Sequence, residues 1–197
     1  MQRFIFGISL ILAPFGEIAA GIVLAAQGSS QGWILAHFFM LGSIFMYVAA
    51  ILGVRQLLGP SKAPWGALGD GSTILALLGL LLTVSQITID LTVGFLASTP
   101  AEMDHMFGRI RAIPAMEITF YSIGPSLFFL GLLLLILILA RFHVILLWGA
   151  GLASAGIILG VVGKEINVFP APALALFTLG SVWICFLPTA WKLLASR

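Results

Sequence analysis

Charge is scarce in this chain. Lys and Arg together number 9 and Asp and Glu 7 among 197 residues, so 8% of positions are charged, against roughly 25% in soluble domains. Such a sequence cannot dress a water-facing globule, and with a formal net charge of +2 and no basic cluster it offers nothing to a nucleic acid. Cysteine occurs once, at Cys185 in an apolar run, which excludes an intrachain disulfide and a thiolate cluster for zinc or iron–sulfur. No lysine stands within an apolar stretch to carry a retinal Schiff base, and neither His-Glu-x-x-His nor Gly-x-x-x-x-Gly-Lys occurs. An enzyme with another kind of site is left open.

Apolar residues fill the space that charge leaves. They make up 61% of the chain and fall into six stretches, each near the ~20 residues a helix needs to cross a bilayer. These runs predict an all-α polytopic membrane protein, a single domain over residues 1–197. Its six transmembrane helices are expected at about 4–26, 33–58, 73–97, 117–140, 143–163 and 168–191. Met1-Gln2-Arg3 ahead of an apolar run looks like a signal peptide, but no small-residue cleavage pattern precedes a soluble domain, so it reads as a retained first helix.

Pro14 is expected to kink the first helix and Pro188 to interrupt the last. Residues 27–32 read as a short polar turn, 59–66 as a breaker-rich loop and 164–167 as a tight turn, with Asp70 or Ser72 placed to cap the third helix. Thr99-Pro100-Ala101-Glu102 combines an N-cap, a proline at the first helical position and a capping-box acid. It predicts a short amphipathic surface helix to about Arg111, between the third and fourth spans. Gly156-x-x-x-Gly160 suits close helix packing, and the leucine-rich tail of the fourth span faces lipid or a neighbouring helix.

Basic residues set the orientation. Arg3, Arg55, Lys62, Arg141, Lys192 and Arg197 fall on one side, six against the three (Arg109, Arg111 and Lys164) on the other, which places both termini in the cytoplasm. Trp33 on the outer side and Trp65 and Trp191 on the inner fit interfacial belts.

The centre of the chain is Thr83-Val84-Ser85-Gln86-Ile87-Thr88-Ile89-Asp90-Leu91-Thr92-Val93-Gly94, a membrane-length apolar segment with a carboxylate inside it. On a helix Thr83, Gln86, Asp90 and Gly94 share one face. A charge at bilayer depth costs at least about 2.5 kcal/mol, so it faces a bundle interior or a wet cavity. The other embedded ionisable groups gather on the same side: at ~1.5 Å per residue Glu17 lies about 13 Å below the outer end of its span, Asp90 about 10 Å and His37 about 6 Å, with Glu117 near the surface.

That asymmetry predicts an outward-facing acidic pocket whose ligand-binding residues are Glu17, His37, Gln86, Asp90, Glu117 and Tyr121, with residues 98–115 as a lid. Glu17 and Asp90, if adjacent, form a proton-sensitive pair; in the plainer reading Asp90 simply bonds His37 inside the bundle. His37 shares a helix face with Trp33, Met40, Ile44 and Tyr47. As an axial ligand to haem or a pigment it lacks a second histidine at its depth, since His105 lies in the outer loop and His143 near the opposite surface. No metal site and no cofactor can be named. Arg109, Arg111, Lys164 and Glu165 read as interfacial anchors.

Three functions fit these residues. The first is binding of a small ligand, with transport linked to protons or cations. The second is an intramembrane enzyme acting on a lipid or isoprenoid-like substrate, with Asp90 or Glu17 as general acid and His37 orienting it. The third is an accessory subunit of a larger membrane complex. The partners implied are the lipid bilayer, a small-molecule or lipid ligand, and either a second copy of the chain or other membrane subunits. Gly32-Trp33-Ile34-Leu35-Ala36-His37 and the run to Gly53-Val54-Arg55-Gln56-Leu57-Leu58 resemble uncharacterised six-helix bacterial integral membrane proteins. Those proteins often show Trp-x-x-Ala-His at the start of the second span and an arginine at its end. The resemblance implies a multi-pass protein of the bacterial cytoplasmic membrane with no assigned activity, and it carries over no functional residue.

Overall fold

The computed structural model describes residues 1–26, 29–59, 64–166 and 171–195, with backbone alone at 163–166 and 171–173. Among the described residues helix is the only regular structure: α1 (Gln2–Ala26), α2 (Ser30–Leu57), α3 (Trp65–Leu96), α4 (Pro100–Arg111), α5 (Pro114–Met116), a π-helical segment π1 (Glu117–Ile123), α6 (Gly124–Arg141), α7 (Leu147–Ile166) and α8 (Ala171–Ala195). α5, π1 and α6 run on as one helix, Pro114–Arg141. Five helices are long and apolar enough to cross a membrane, and Leu147–Val162 of α7 is a shorter apolar stretch. Large apolar side chains, among them Phe45, Leu81, Phe95 and Trp148, cover the outside. In water so much exposed apolar surface would drive association; in lipid it is the expected coat. The chain is a multi-pass membrane protein.

The six long helices form a ring in chain order. α1 packs on α2, α2 on α3, α3 on α6, α6 on α7, α7 on α8, and α8 returns to α1. Leu10, Tyr47, Ile51, Leu135, Val182 and Phe186 belong to the core that fills the ring. Lipid tails are as apolar as leucine, so close backbone approach rather than water exclusion holds such helices together. A Cβ at Gly79 would lie 2.7 Å from the Phe128 Cα, and one at Gly131 would lie 2.7 Å from the Ser72 carbonyl, so α3 and α6 touch backbone to backbone. Gly156 and Gly160 face Ser181 and Thr178, and the Thr178 hydroxyl donates to the Gly156 carbonyl at 2.9 Å, so this small-residue pair joins α7 to α8 as expected.

Several boundaries move. α3 starts at Trp65, eight residues before the predicted Thr73, so Asp70 and Ser72 lie inside the helix and cap nothing. Pro64, at its N-cap, fits a helix start because it has no N–H to leave unpaired. Asp70 instead accepts from Arg55 Nε at 2.7 Å, and Arg55 Nη1 donates to the Gly59 carbonyl at 3.2 Å, which ties α2 to the extra turns of α3. His143 does not begin the fifth span: it sits in the α6–α7 turn with φ 56°, and α7 begins at Leu147 and runs on through 164–166, where a tight turn was expected. Outside the described residues lie parts of the predicted loops (27–28, 60–63 and Asn167), the predicted start of the last span at Val168, and Arg197.

Candidate functional site

α2 opens with Ser29 as N-cap, its hydroxyl accepting from the Gly32 N–H at 3.2 Å. Trp33 and His37 follow, one turn apart. The Trp33 indole crosses to α3 and donates from Nε1 to the Asp90 carbonyl at 3.0 Å. It fits there because Gly94, one turn beyond Asp90, has no side chain: a Cβ would lie 2.9 Å from the indole Cδ1. The His37 ring lies 4.2 Å from that of Trp33, with Nδ1 2.7 Å from the Trp33 carbonyl and Nε2 3.4 Å from Asp90 Oδ2. Asp90 Oδ1 accepts from the Tyr121 hydroxyl at 2.6 Å.

A carbonyl only accepts, so the Nδ1 proton goes to Trp33. Nε2 faces Oδ2 and the Tyr121 hydroxyl covers Oδ1, so the polar ends of both side chains are partnered although Asp90 and His37 are each 3% exposed. His37, Asp90 and Tyr121 thus form a clamp across α2, α3 and π1.

π1 explains why Tyr121 reaches Asp90. The ring of Pro125 would clash with the carbonyl four residues back in a regular helix. The chain widens instead, and the Gly124 N–H bonds the Thr119 carbonyl, five residues back. Such wide turns recur at functional sites. Outside the clamp, the Arg111 guanidinium lies 5.0 Å from the Tyr121 ring centroid and 5.7 Å from that of Phe107, with Nε 3.7 Å from Glu117 Oε2. At that length the contact is an ion pair rather than a hydrogen bond, and Glu117 Oε2 has no hydrogen-bond partner. α4 is capped by Thr99, which accepts from the Glu102 N–H at 3.2 Å, while the Glu102 carboxylate reaches back to the Ser98 N–H at 2.8 Å. Met103 and Phe107 bury its inner face against Val93 and Ala97.

Deeper than the clamp lies a cavity of about 260 Å³, between α1, α2, α3, α8 and the start of α6. Glu17, Tyr47, Thr83 and Gln86 give it polar walls, and Met40, Leu80, Phe128 and Phe129 are among its apolar ones. Thr83 gives its proton to the Gly79 carbonyl at 2.9 Å. The Tyr47 hydroxyl and the Gln86 side-chain oxygen are buried with no hydrogen-bond partner, and the Tyr47 residue is 4% exposed. An unpaired buried polar atom costs about 1–3 kcal/mol, a penalty that each of these two oxygens carries beside the cavity. Ser43 sits beside Glu17 and donates its hydroxyl to the Ala13 carbonyl, next to Pro14 inside α1.

The six predicted site residues therefore divide. Glu17 and Gln86 line the cavity; His37 and Tyr121 each contact Asp90, one helical turn along α3 from Gln86; Glu117 does not line the cavity and pairs with Arg111. Three residues were not read as site residues. Tyr47 and Trp33 look like a core and an interfacial aromatic, and Arg111 looks like a solvated anchor. The one signal available was the shared helix face of Trp33, His37 and Tyr47. Gly28-Ser29-Ser30-Gln31-Gly32 has the spacing of a hydrolase nucleophile elbow, but Ser30 opens a helix and among the described residues no strand precedes it, so the motif lacks its context. Among the described residues no cluster of His, Cys, Asp and Glu suits a metal. No protein-family model matches the chain, and neither does any curated protein or any solved structure.

Proposed function

We propose that the chain is a six-span protein of the bacterial cytoplasmic membrane, both termini cytoplasmic, that binds a small ligand in its outer half and moves it across the bilayer coupled to protons or cations. The observation that carries this reading is the cavity with its unpartnered Tyr47 and Gln86 oxygens and the Glu17 carboxyl in one wall. The clamp lies one helical turn further along α3, from Gln86 to Asp90, and holds α2, α3 and π1 in register around that cavity. α4 and its aromatic contacts with Trp33 lie outward of the clamp and serve as a lid. At about 260 Å³ the space falls just under the ~300 Å³ at which drug-sized sites begin, so the ligand is small.

Native mass spectrometry of protein taken from its own membrane in mild detergent tests this. A bound small molecule is expected on the wild type and is lost from Thr83→Phe, whose ring fills the cavity. Wild type without any bound mass, and with a melting temperature that no small solute raises, would remove the reading.

An intramembrane enzyme acting on a lipid is the second reading, favoured by one feature. Phe129, Ala175 and Leu179 form a wall shared by the cavity and an apolar cleft of about 200 Å³ between α6, α7 and α8. A lipid chain in that cleft would bring its head to Glu17, which then serves as general acid. Turnover of a lipid extract that disappears in Glu17→Gln would favour this reading over transport.

A further inference from the structure

Resting on the ligand-site reading above, we infer that the cavity selects a small organic cation, an ammonium group carried on an apolar or aromatic body. The walls supply acceptors and no cation. Glu17 is the one carboxyl among the described lining residues, and no Lys, Arg or His lines the cavity; His37 is close enough to act on Glu17 electrostatically, but its Nε2 faces Asp90. The Tyr47 hydroxyl and the Gln86 side-chain oxygen lack partners, and Thr83, its proton already given to Gly79, has only lone pairs left. An ammonium brings donors for the Glu17 carboxyl and for the free lone pairs of these oxygens, while the Tyr47 O–H and the Gln86 NH2 keep their own protons to donate.

The remaining walls suit the rest of such a molecule. Tyr47 and Phe128 stand edge to face with ring centroids 5.0 Å apart, and Phe129 follows 5.0 Å from Phe128. Aromatic faces attract cations, more strongly once water is excluded, and Met40, Ile44 and Leu80 accept an apolar body. The clamp does not compete for the ligand, because Asp90 is compensated by His37 and Tyr121.

The test uses tritiated 2-phenylethylammonium and benzyltrimethylammonium on the whole protein in phosphatidylcholine nanodiscs. 2-Phenylethanol and phenylacetate serve as neutral and anionic competitors. Saturable binding of 2-phenylethylammonium is expected, tighter than that of benzyltrimethylammonium, which has no N–H to donate, and with little competition from either rival. Glu17→Gln should weaken it about ten- to hundredfold, the loss of a charge-assisted hydrogen bond, and Gln86→Leu by less. Equal competition by 2-phenylethanol would overturn the cation assignment while leaving a ligand cavity in place, and so would binding unchanged in a folded Glu17→Gln. The competition arm needs no variant and decides the matter even if Glu17→Gln fails to fold. Failure of both cations to bind saturably overturns the inference; native mass spectrometry on the same preparation then shows whether another ligand occupies the cavity or the site reading falls as well.

Discussion

Asp90 is held from two other elements, by His37 of α2 through one carboxylate oxygen and by Tyr121 of π1 through the other, while its backbone carbonyl accepts from Trp33. Tyr121→Phe removes one of these bonds and nothing else of the ring's shape. Hydrogen bonds between membrane helices average about 0.6 kcal/mol and reach about 1.7, and an acceptor paired with a histidine belongs near the upper end. The expected loss is about 1–2 kcal/mol, read as the fall in unfolding free energy in detergent. In an Asp90→Asn background the same change should cost less, because the amide oxygen is a weaker acceptor. Equal losses in the two backgrounds would show that Tyr121 is not coupled to Asp90. Glu17, His37, Gln86, Asp90 and Tyr121 were legible in the sequence because a polar group in an apolar run has few bland explanations. The Asp90–His37 contact was among the expectations; the rest of their grouping was not. Whether Glu17 faces Asp90 or a separate cavity depends on how α1 sits against α2, which one-dimensional spacing does not carry. Hydroxyls on α3 show the same limit: Thr88 and Thr92 return their protons to Val84 and Thr88 carbonyls at 2.8 and 2.7 Å and so can face lipid. In sequence they look no different from Gln86.

Helix-to-helix approach is decided by which glycines lie in a contact. Gly131 meets the backbone of α3 at Ser72 and Ala76, whereas nothing lies within 4 Å of a Cβ at Gly42. Gly131→Ala should therefore push α3 from α6 and destabilise by about 1–3 kcal/mol, the usual cost of overpacking. Gly42→Ala should leave stability level or raise it by about 0.5–1 kcal/mol through lower backbone entropy. Thermal melting of both variants checks the opposed signs. α4 offers an independent measurement. Thr99→Ala deletes the cap and should cost about 1 kcal/mol, which appears as roughly fivefold faster exchange of the Glu102 and Met103 amides if α4 opens on its own. This cap was fully legible, since its chemistry is contained in four adjacent residues. The π segment was not: apolar periodicity does not separate bonding four residues back from bonding five back, and only Pro125 hinted at it. Nor was the early start of α3 legible, because Gly66, Gly69 and Gly71 around Asp70 read as loop until Arg55 is seen to hold that turn.

At the scale of the whole molecule, neighbours in sequence being neighbours in space was a fair expectation, but closure of the ring by α8 on α1 was not readable. Gly7 makes it: a Cβ there would lie 2.9 Å from Leu194 and 3.1 Å from the Ala190 carbonyl. Which mouth of the ring faces outward rests on the basic count, six against three. The pairing of Arg55 with Asp70 and of Arg111 with Glu117 leaves that count intact, because orientation follows Lys and Arg numbers rather than net charge. Single cysteines in a Cys185→Ala background turn this into a measurement. His105→Cys, on α4, should react with a membrane-impermeant maleimide in intact cells, and Lys62→Cys should react only once the membrane is opened. The reverse pattern would invert the molecule and turn the cavity and its clamp toward the cytoplasm, where a ligand would be loaded for export rather than captured from outside. Labelling of both in intact cells would mean two populations of opposite orientation, in which case the two mouths of one ring cannot have fixed duties and the one-directional transport proposed above falls.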